Sequence, residues 1–332
     1  MKVGIISFAH GHASGNARCL AQLPDVELAA IADNDAARLR DAVDRFGGDA
    51  YADYRDLLAR DDIEAVLVTS PNGEHREHVV AAAEATKHVL CEKPIATSRA
   101  DGLAMVAACL AHGVKFQTAF PVRFSAPAVT LRRMVREGAV GTPLAVKATN
   151  PGSFPGGWFG DPLLAGGGAV MDHTVHVVDL LRWIFEAEVT QVYAEIDTRL
   201  HRELPVDDVA TVMLTLSNGL IVSLDPSWSR PKTWPTWGGL TMDVIGDGGV
   251  ISMDAFSQNL QLVEDRGPSH VFLPWAEGGD LAMIRGFADA IRNDTDPPVT
   301  GEDGLRALEV ALCAYESARR REPVACPDVL IG

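Results

Sequence analysis

The fold of this chain is decided by the stretch Lys87-His88-Val89-Leu90-Cys91-Glu92-Lys93-Pro94. Most of its first five residues suit a buried strand, and Pro94 ends that strand because proline has no amide hydrogen to donate to a sheet. Glu92 and Lys93 therefore stand at the carboxyl end of a strand, where ligands bind in an open parallel sheet. These residues alone leave two interpretations open: a lysine placed for chemistry, or a solvated ion pair.

Length and composition bound the class of protein. The chain has 332 residues, which favours two domains over one core. Its formal net charge of -16 argues against a nucleic-acid or anionic-membrane surface. The five cysteines form no Cys-x-x-Cys pair, and no apolar run suits a signal peptide or a membrane span. We therefore expect a cytoplasmic protein with reduced thiols and with neither nucleic-acid nor membrane partners.

The first part of the chain alternates short apolar strands with amphipathic helices. Strands are predicted at Lys2–Ser7, Val26–Ala32, Glu64–Thr69, His88–Cys91 and Val114–Thr118. This alternation predicts a Rossmann-type, doubly wound parallel sheet, with a nucleotide site at the carboxyl ends of its strands.

The loop after the first strand departs from the dinucleotide fingerprint. Where Gly-x-Gly-x-x-Gly is expected, the chain has Ser7-Phe8-Ala9-His10-Gly11-His12. Its small residues still allow backbone amides to approach a pyrophosphate at a helix N-terminus. We interpret His10 and His12 as polar groups near the phosphates or the nicotinamide. Because nothing nearby in the sequence supplies a third ligand, no metal is expected there.

Asp33 ends the second predicted strand, roughly 20 residues beyond that loop, where a carboxylate binds a ribose diol. The alternative is a helix N-cap. The charge of Asp33 would repel a 2′-phosphate, and no arginine follows it directly. The expected cofactor is therefore NAD rather than NADP.

The pattern changes after the first 122 residues. We predict a dinucleotide-binding domain over 1–122 and a substrate-binding and oligomerisation domain over 123–332. The second contains a helix, Val170–Phe185, followed by consecutive strands from Val189 onward. Short turns between these strands predict an α+β domain with a large, mostly antiparallel sheet, one face of which the helix covers.

Polar side chains interrupt the apolar helix of this second domain. Asp172, His176 and Asp179 have the spacing i, i+4, i+7 and share one face. From spacing alone, a structural Asp–His pair is the simpler interpretation. His173 points about 100° away from Asp172, which suits packing or substrate contact.

Aromatic residues raise a further alternative. Trp158 lies in a stretch rich in glycine and proline, which is typical of a functional loop but also of plain packing. Trp228, Trp234 and Trp237 suit either a sugar site or a subunit contact.

Several motifs, in this order along the chain, resemble the Gfo/Idh/MocA family, the relatives of glucose-fructose oxidoreductase and inositol dehydrogenase. In the first domain they are Glu64-Ala65-Val66-Leu67-Val68-Thr69-Ser70-Pro71-Asn72, then His75, then the Lys87–Pro94 stretch. In the second they are Gly166-Gly167-Gly168, Asp172-x-x-x-His176, Asp179, Trp183, Asp207-Asp208-Val209-Ala210 and Ser217-Asn218-Gly219. Near the end follow Gly301-Glu302-Asp303-Gly304 and Tyr315-Glu316-Ser317-Ala318. The resemblance covers nearly the whole chain, and the loop from Ser7 to His12 is its departure.

The resemblance implies a set of site residues. NAD contacts are implied for Ser7, Phe8, Ala9, His10, Gly11, His12, Asp33, Thr69, Ser70, Pro71, Asn72, His75, Glu92 and Lys93. Catalytic roles are implied for Lys93, Asp172 and His176. Substrate contacts are implied for Lys93, Arg123, Trp158, Asp172, His173 and His176. A homodimer or homotetramer is implied through the second face of the antiparallel sheet.

The expected reaction is hydride transfer from a secondary hydroxyl of a sugar, cyclitol or related polyol to the nicotinamide. An unperturbed histidine titrates near 6.5, so His176 suits the general base, with Asp172 fixing its tautomer and Lys93 holding the reacting oxygen. We expect Lys93 and His176 to meet beside the nicotinamide. Alternatives are a hydrolase or epimerase that uses bound NAD transiently, a non-catalytic dinucleotide or sugar sensor, and, more remotely, a divalent-metal lyase.

Overall fold

The computed structural model describes residues 1–234, 236–256, 259–262, 271–274 and 279–327. The chain forms two compact units. The first comprises Met1–Pro121, Leu163–Gly166 and Asp280–Leu308, and the second comprises Val122–Pro162, Gly167–Gly279 and Glu309–Gly332. No helix within the described residues is long and apolar enough to cross a membrane.

The first unit is built on alternating strands and helices. Its elements up to Thr118 are β1 (Lys2–Ile6), α1 (Ala13–Leu20), β2 (Glu27–Ala32), α2 (Ala36–Phe46), β3 (Asp49–Tyr51), α3 (Tyr54–Leu58), β4 (Ala65–Val68), α4 (His75–Glu84), β5 (His88–Cys91), α5 (Arg99–Ala111) and β6 (Phe116–Thr118). Short 3₁₀ turns lie at Asn72–Glu74, Pro121–Phe124 and Gly157–Gly160.

The six strands of the first unit pair in the order β3-β2-β1-β4-β5-β6, and every pairing is parallel. This is the strand order of dinucleotide-binding sheets, and it confirms the predicted Rossmann-type fold. All four residues of β4 are buried, as expected of a central parallel strand covered by helices on both faces.

The sequence prediction missed the edge strand β3. Its three residues pair with β2, yet Asp49 and Ala50 are exposed. A short edge strand has no buried run of apolar residues, which is the signal on which the prediction depended.

The rest of the chain adds a second sheet and the closing helices. The elements are α6 (Ala126–Arg136), β7 (Pro143–Thr149), α7 (Pro162–Ala165), α8 (Ala169–Phe185), β8 (Val189–Asp197), β9 (Val209–Leu216), β10 (Ile221–Asp225), β11 (Thr241–Gly246), β12 (Gly249–Asp254), β13 (Asn259–Leu262), β14 (Val271–Pro274), α9 (Gly279–Asn293), α10 (Gly301–Arg320) and β15 (Val324–Ala325).

The second unit holds a seven-stranded sheet of order β12-β11-β7-β10-β9-β8-β15. Its pairings are antiparallel except that β10 and β7 run parallel, so the predicted mostly antiparallel sheet is confirmed. Along β9, buried residues alternate with more exposed ones, and α8 packs on β8 and β9. One sheet face therefore forms a core with α8, as the alternating pattern predicts.

Candidate active site

The loop after β1 takes a conformation that glycine normally supplies. Ser7, at the first glycine position of the fingerprint, has φ 71° and lies in the left-handed region. Its backbone is held on two sides, because its amide donates to the Ala32 carbonyl at 2.7 Å and its carbonyl accepts from the Thr69 hydroxyl at 2.5 Å. The serine hydroxyl then accepts from the Ala9 amide at 3.1 Å. The turn of the fingerprint is thus kept without its first glycine.

Asp33 is buried at the end of β2, and its carboxylate is fully engaged. It accepts from the Phe8 amide at 2.7 Å and from the Asp35 amide at 2.8 Å. Asp35, not Asp33, is the N-cap residue of α2. Arg38 donates to both oxygens of Asp33, from Nε at 2.9 Å and from Nη2 at 2.7 Å.

No arginine follows Asp33 directly in the sequence, but the structure brings Arg38 to its carboxylate. Arg38 lies five positions further on, and the first turn of α2 brings its side chain back to the end of β2. The hydrogen bond to Asp33 and the charge of Asp33 raise the pKa of Arg38 further, despite partial burial. A ribose diol at Asp33 would have to compete with this guanidinium.

A pocket of about 340 Å³ opens at the carboxyl ends of β1 and β2. Its size falls in the range of small-molecule sites. Its lining residues are Ile6, Ser7, Ala32, Asp33, Asn34, Ala52, Asp53, Tyr54, Arg55, Glu74, Glu77 and His78. The four acidic side chains in this set favour a hydroxyl-bearing ligand over an additional phosphate.

The segment after β4 is tied to its surroundings by buried hydrogen bonds. The Asn72 side chain donates to the Ala165 carbonyl at 2.9 Å, and the Ser70 hydroxyl lies 2.9 Å from Nδ1 of His78. His75 is wholly buried, with Nε2 3.0 Å from the Ser70 carbonyl and Nδ1 3.1 Å from the Pro94 carbonyl. Burial lowers the pKa of His75, although these carbonyls oppose it. His75 thus joins the segments after β4 and β5.

Glu92 lies at the carboxyl end of β5 and is 2% exposed. Its Oε2 is 3.2 Å from Nδ1 of His12, and its Oε1 accepts from the Asn16 side chain at 3.3 Å. Burial would raise the pKa of Glu92, but the charges of His12, His10 and Lys93 and the hydrogen bond from His12 hold it well below its usual range. Glu92 is therefore an anion facing the fingerprint loop.

The tertiary structure supplies a third potential metal ligand that the sequence argument did not find. One ligand atom from each of His10, His12 and Glu92 lies within 4.8 Å of the others. Glu92 is 80 residues away from His12 in the sequence, so only the folded chain brings it to this loop. A metal would have to displace bonds already made: Nδ1 of His10 accepts from the His12 amide at 3.1 Å, and Nδ1 of His12 pairs with Glu92.

Lys93 follows directly and is 2% exposed, among the largest fully buried side chains of the described residues. Its amide donates to Oε2 of Glu92 at 3.4 Å. The Lys93–Pro94 peptide bond is cis. A buried lysine is rare unless it is paired or used, so the solvated ion pair considered from the sequence is wrong.

In the second unit, the first turn of α8 is capped by residues distant in sequence. The Asp207 carboxylate accepts from the Gly168 amide at 2.9 Å and from the Val170 amide at 2.8 Å. The Tyr315 hydroxyl accepts from the Met171 amide at 3.2 Å and donates to Asp207 at 2.6 Å. A Cβ at Gly168 would lie 1.8 Å from the Asp207 carbonyl oxygen, so only glycine fits this approach. The start of α8 is thereby fixed.

Replacing Tyr315 by phenylalanine is expected to lower the free energy of unfolding by about 1–3 kcal/mol, because a buried amide and the Asp207 carboxylate each lose a partner. Burial, followed by the charge of Asp207, raises the pKa of the Tyr315 hydroxyl, which keeps it protonated as a donor. Urea unfolding measures the change. Tyr193→Phe is the matched control, since that hydroxyl bonds to Glu195 on the exposed part of β8; equal losses in both variants would contradict the capping role.

Asp172 lies one turn into α8 and is 3% exposed. Its Oδ2 accepts from Nε1 of Trp228 at 3.1 Å and lies 3.2 Å from Nε2 of His173. His173 is wholly buried, donates from Nδ1 to the Pro226 carbonyl at 3.0 Å, and packs edge-on against Trp237. The geometry therefore gives His173 a packing environment and gives Trp228 a role in holding Asp172.

Further along α8, His176 is 8% exposed and Asp179 is wholly buried. Asp179 pairs with both ends of the Arg123 guanidinium, with Nε at 3.1 Å from Oδ2 and Nη2 against Oδ1. Arg123 also lies over the ring of Trp183, 5.7 Å from its centroid. Arg123 is thus anchored on α8, whatever else it contacts.

Trp158 lies in the 3₁₀ turn Gly157–Gly160 and stacks on Phe159, with ring centroids 3.9 Å apart. It is half-buried. Its role in substrate binding stays a prediction.

The sequence analysis predicted no role for Asn16 or Arg38 and no bond from Trp228 to Asp172. It named Asp207 and Tyr315 only within family motifs and did not predict that they cap α8. Arg38 could have been found, because it lies on the first turn of the helix after Asp33. The remaining contacts join residues that are distant in the sequence, so no local sequence pattern predicts them.

Two family models match the chain. One, described as an oxidoreductase family with an NAD-binding Rossmann fold, matches residues 1–120, and one described as the GFO/IDH/MocA C-terminal domain matches residues 128–252.

Known proteins give the same result. The chain is 31% identical over 316 residues to an uncharacterized oxidoreductase, YrbE, of Bacillus subtilis, covering 92% of this chain and 91% of that protein. It is 28% identical to a myo-inositol 2-dehydrogenase of Thermotoga maritima, covering 99% of this chain and 100% of that one. A levoglucosan dehydrogenase solved with NADH and L-sorbose aligns with a TM-score of 0.85 at 25% identity over 99% of both chains. The resemblance drawn from the sequence is confirmed: the chain belongs to the GFO/IDH/MocA family of oxidoreductases and carries its NAD-binding Rossmann domain.

Proposed function

We propose that this protein is an NAD-dependent dehydrogenase that oxidises a secondary hydroxyl of a sugar, cyclitol or related polyol. Lys93 carries the proposal, as a lysine 2% exposed that follows β5 of an NAD-binding sheet. The carboxyl end of such a sheet is where a dinucleotide and its substrate bind.

The first unit fits NAD on its own features. The pocket at the ends of β1 and β2 has room for a nucleoside, and Asp33 lines it. A Cβ added at Gly11 would meet nothing within 4 Å, so the loop before α1 leaves open space beside its backbone. The N-terminus of α1 favours anions there.

Each catalytic group would do one task. When NAD is bound, its nicotinamide supplies the hydride acceptor. Lys93 would donate a hydrogen bond to the reacting oxygen and stabilise charge developing there. His176 would remove the hydroxyl proton, and Asp172, itself held by Trp228, would orient the imidazole.

The test is reduction of NAD in the presence of a panel of sugars, cyclitols and polyols, followed by the absorbance of NADH. We expect one chemical class to give turnover. Tightly bound NAD in the purified protein, together with substrate conversion but no net NADH, would instead favour transient oxidation. Failure to bind NAD at all would contradict both.

The preference for NAD over NADP is part of the proposal and depends on Asp33. Replacing Asp33 by serine removes a charge-assisted acceptor for the ribose diol, so we expect NAD affinity to fall roughly tenfold to a hundredfold. The same change releases Arg38, which donates to both Asp33 oxygens. An arginine near the end of this strand accommodates a 2′-phosphate, so NADP affinity should rise.

The double variant Asp33→Ser/Arg38→Ala is the matched control. It should keep the loss of NAD affinity and lose the gain for NADP, as measured by titration calorimetry with each dinucleotide. An unchanged NADP affinity in the single variant would exclude Arg38 from cofactor selection.

A homodimer or homotetramer also belongs to the proposal. The sheet face opposite α8 presents Met213, Ile221 and Val250, which are 39%, 51% and 61% exposed. Met213 and Ile221 lie on neighbouring strands, and exposed apolar residues on one sheet face are typical of an interface. A monomer at micromolar concentration in analytical ultracentrifugation would contradict it.

A further inference from the structure

His12 stands where the dinucleotide fingerprint has its third small residue. It precedes α1 as its N-cap residue, yet its side chain makes no capping hydrogen bond. The ring contacts Glu92 instead, and it is 38% exposed where Glu92 is 2% exposed. One ring nitrogen is therefore bound to a buried carboxylate, while part of the ring remains open to solvent.

Carboxylates and cations both surround this ring, and the carboxylates favour its cationic form. The groups that face it are Glu92 and Lys93 after β5, Asp280 in α9, and His10, whose ring centroid lies 4.4 Å away. Burial alone would lower the pKa of His12, but the charge of Glu92 and the hydrogen bond to it outweigh this effect. The charge of Lys93 also lowers the pKa of His12, and Asp280 raises it slightly. The net effect is that the pKa of His12 lies above its ordinary value.

A dinucleotide brings two negative phosphates to this loop, and Glu92 is already a buried anion there. Like charges in a poorly solvated region repel strongly. A cation between Glu92 and the phosphates would offset that repulsion, whereas a neutral ring would not.

We propose that protonated His12 donates from Nε2 to the pyrophosphate of NAD while Glu92 holds its Nδ1. A side-chain charge at the third fingerprint position thus adds to the backbone amides of the loop. This inference rests on the proposed use of NAD. It makes His12 a cofactor-binding residue that is charged below its pKa and neutral above it.

The sign of the pH effect follows directly. Attraction for the pyrophosphate is complete when His12 is protonated, and it is lost as the pH rises through the raised pKa of the ring. We expect the affinity for NAD, measured by quenching of protein fluorescence, to weaken roughly tenfold between about pH 6 and pH 9.

Two substitutions at position 12 test whether the positive charge of the His12 ring causes the pH dependence of NAD binding. His12→Gly restores the residue type of the fingerprint, and His12→Gln keeps a neutral hydrogen-bonding side chain; both should bind NAD with little pH dependence. His112→Gln is the matched control, because His112 is an exposed histidine that follows α5. It should keep the wild-type profile.

A direct measurement is the NMR titration of the His12 ring. Because binding and protonation are linked, saturating NAD should raise the pKa of that ring further, and EDTA should change neither the titration nor the affinity. NAD binding that is flat with pH in the wild type, or equally steep in His12→Gln, would overturn the inference. Wild-type protein that binds no NAD at any pH would instead overturn the proposed function.

Discussion

Replacing Lys93 by alanine is expected to lower kcat roughly a hundredfold to ten-thousandfold, the usual size of a lost acid–base or oxyanion-stabilising group. The affinity for NAD should stay similar, because the proposed partner of the amine is the reacting oxygen of the substrate. Steady-state kinetics measure kcat, and titration with the dinucleotide measures the affinity for NAD. Lys93→Met, which fills the same buried volume, should show the same loss of kcat without a cavity.

Lys87 provides a matched control on the same strand. It is buried at the amino end of β5 and donates to the Arg60 carbonyl at 2.7 Å. Lys87→Met should lower stability but leave kcat nearly unchanged, since the chemistry of a parallel sheet lies at the other end of its strands. Unchanged turnover in both Lys93 variants would remove Lys93 from the mechanism.

A double variant tests whether Lys93 and His176 serve the same hydroxyl. Groups that act as a unit show strongly non-additive effects, so Lys93→Met/His176→Asn should lose about as much kcat as the worse single variant. Losses that multiply would mean that the two side chains act independently, which would contradict the proposed mechanism.

Replacing Arg123 by methionine is expected to lower the free energy of unfolding by about 3–5 kcal/mol, because it leaves the Asp179 carboxylate buried without its cation. The side chains of this pair are only 6% and 1% exposed. Urea unfolding measures the loss. The double variant Arg123→Met/Asp179→Leu should recover much of it, since an apolar pair of similar volume leaves no buried charge behind.

Arg132 provides the control for Arg123, because both guanidinium groups lie over the ring of Trp183. Its guanidinium also lies over Trp183, 4.5 Å from the ring centroid, but its acidic partner Glu186 is 60% exposed. Arg132→Met should therefore cost no more than about 1 kcal/mol. If Arg123→Met cost equally little and instead raised KM alone, Arg123 would be a substrate contact rather than an anchor for α8.

Local pattern was sufficient for much of the fold. The apolar run before Glu92 predicted β5 with its observed bounds, because proline at position 94 stops any strand. Consecutive strands joined by short turns likewise predicted the mostly antiparallel second sheet, since such turns connect neighbouring antiparallel strands. The edge strand β3 was missed because its three residues carry no such pattern.

The candidate site divides in the same way. Lys93, Asp172 and His176 stood out by residue type, by their position on a strand end or a helix face, and by family resemblance. The ion pairs and hydrogen bonds of the site could not be predicted from the sequence, because they depend on which distant segments fold together. Glu92 meets His12 and Asn16, and Tyr315 caps α8 through Asp207, only after the chain returns to each place.

The sequence by itself determined the two sheets, the strand end that bears Lys93, and the family, because hydrophobic periodicity and chain-breaking residues act over a few positions. Only the tertiary structure decided which carboxylates are buried and which cationic side chains pair with them. Burial multiplies the strength of charge interactions, and burial is a property of the packed molecule rather than of any short stretch of chain.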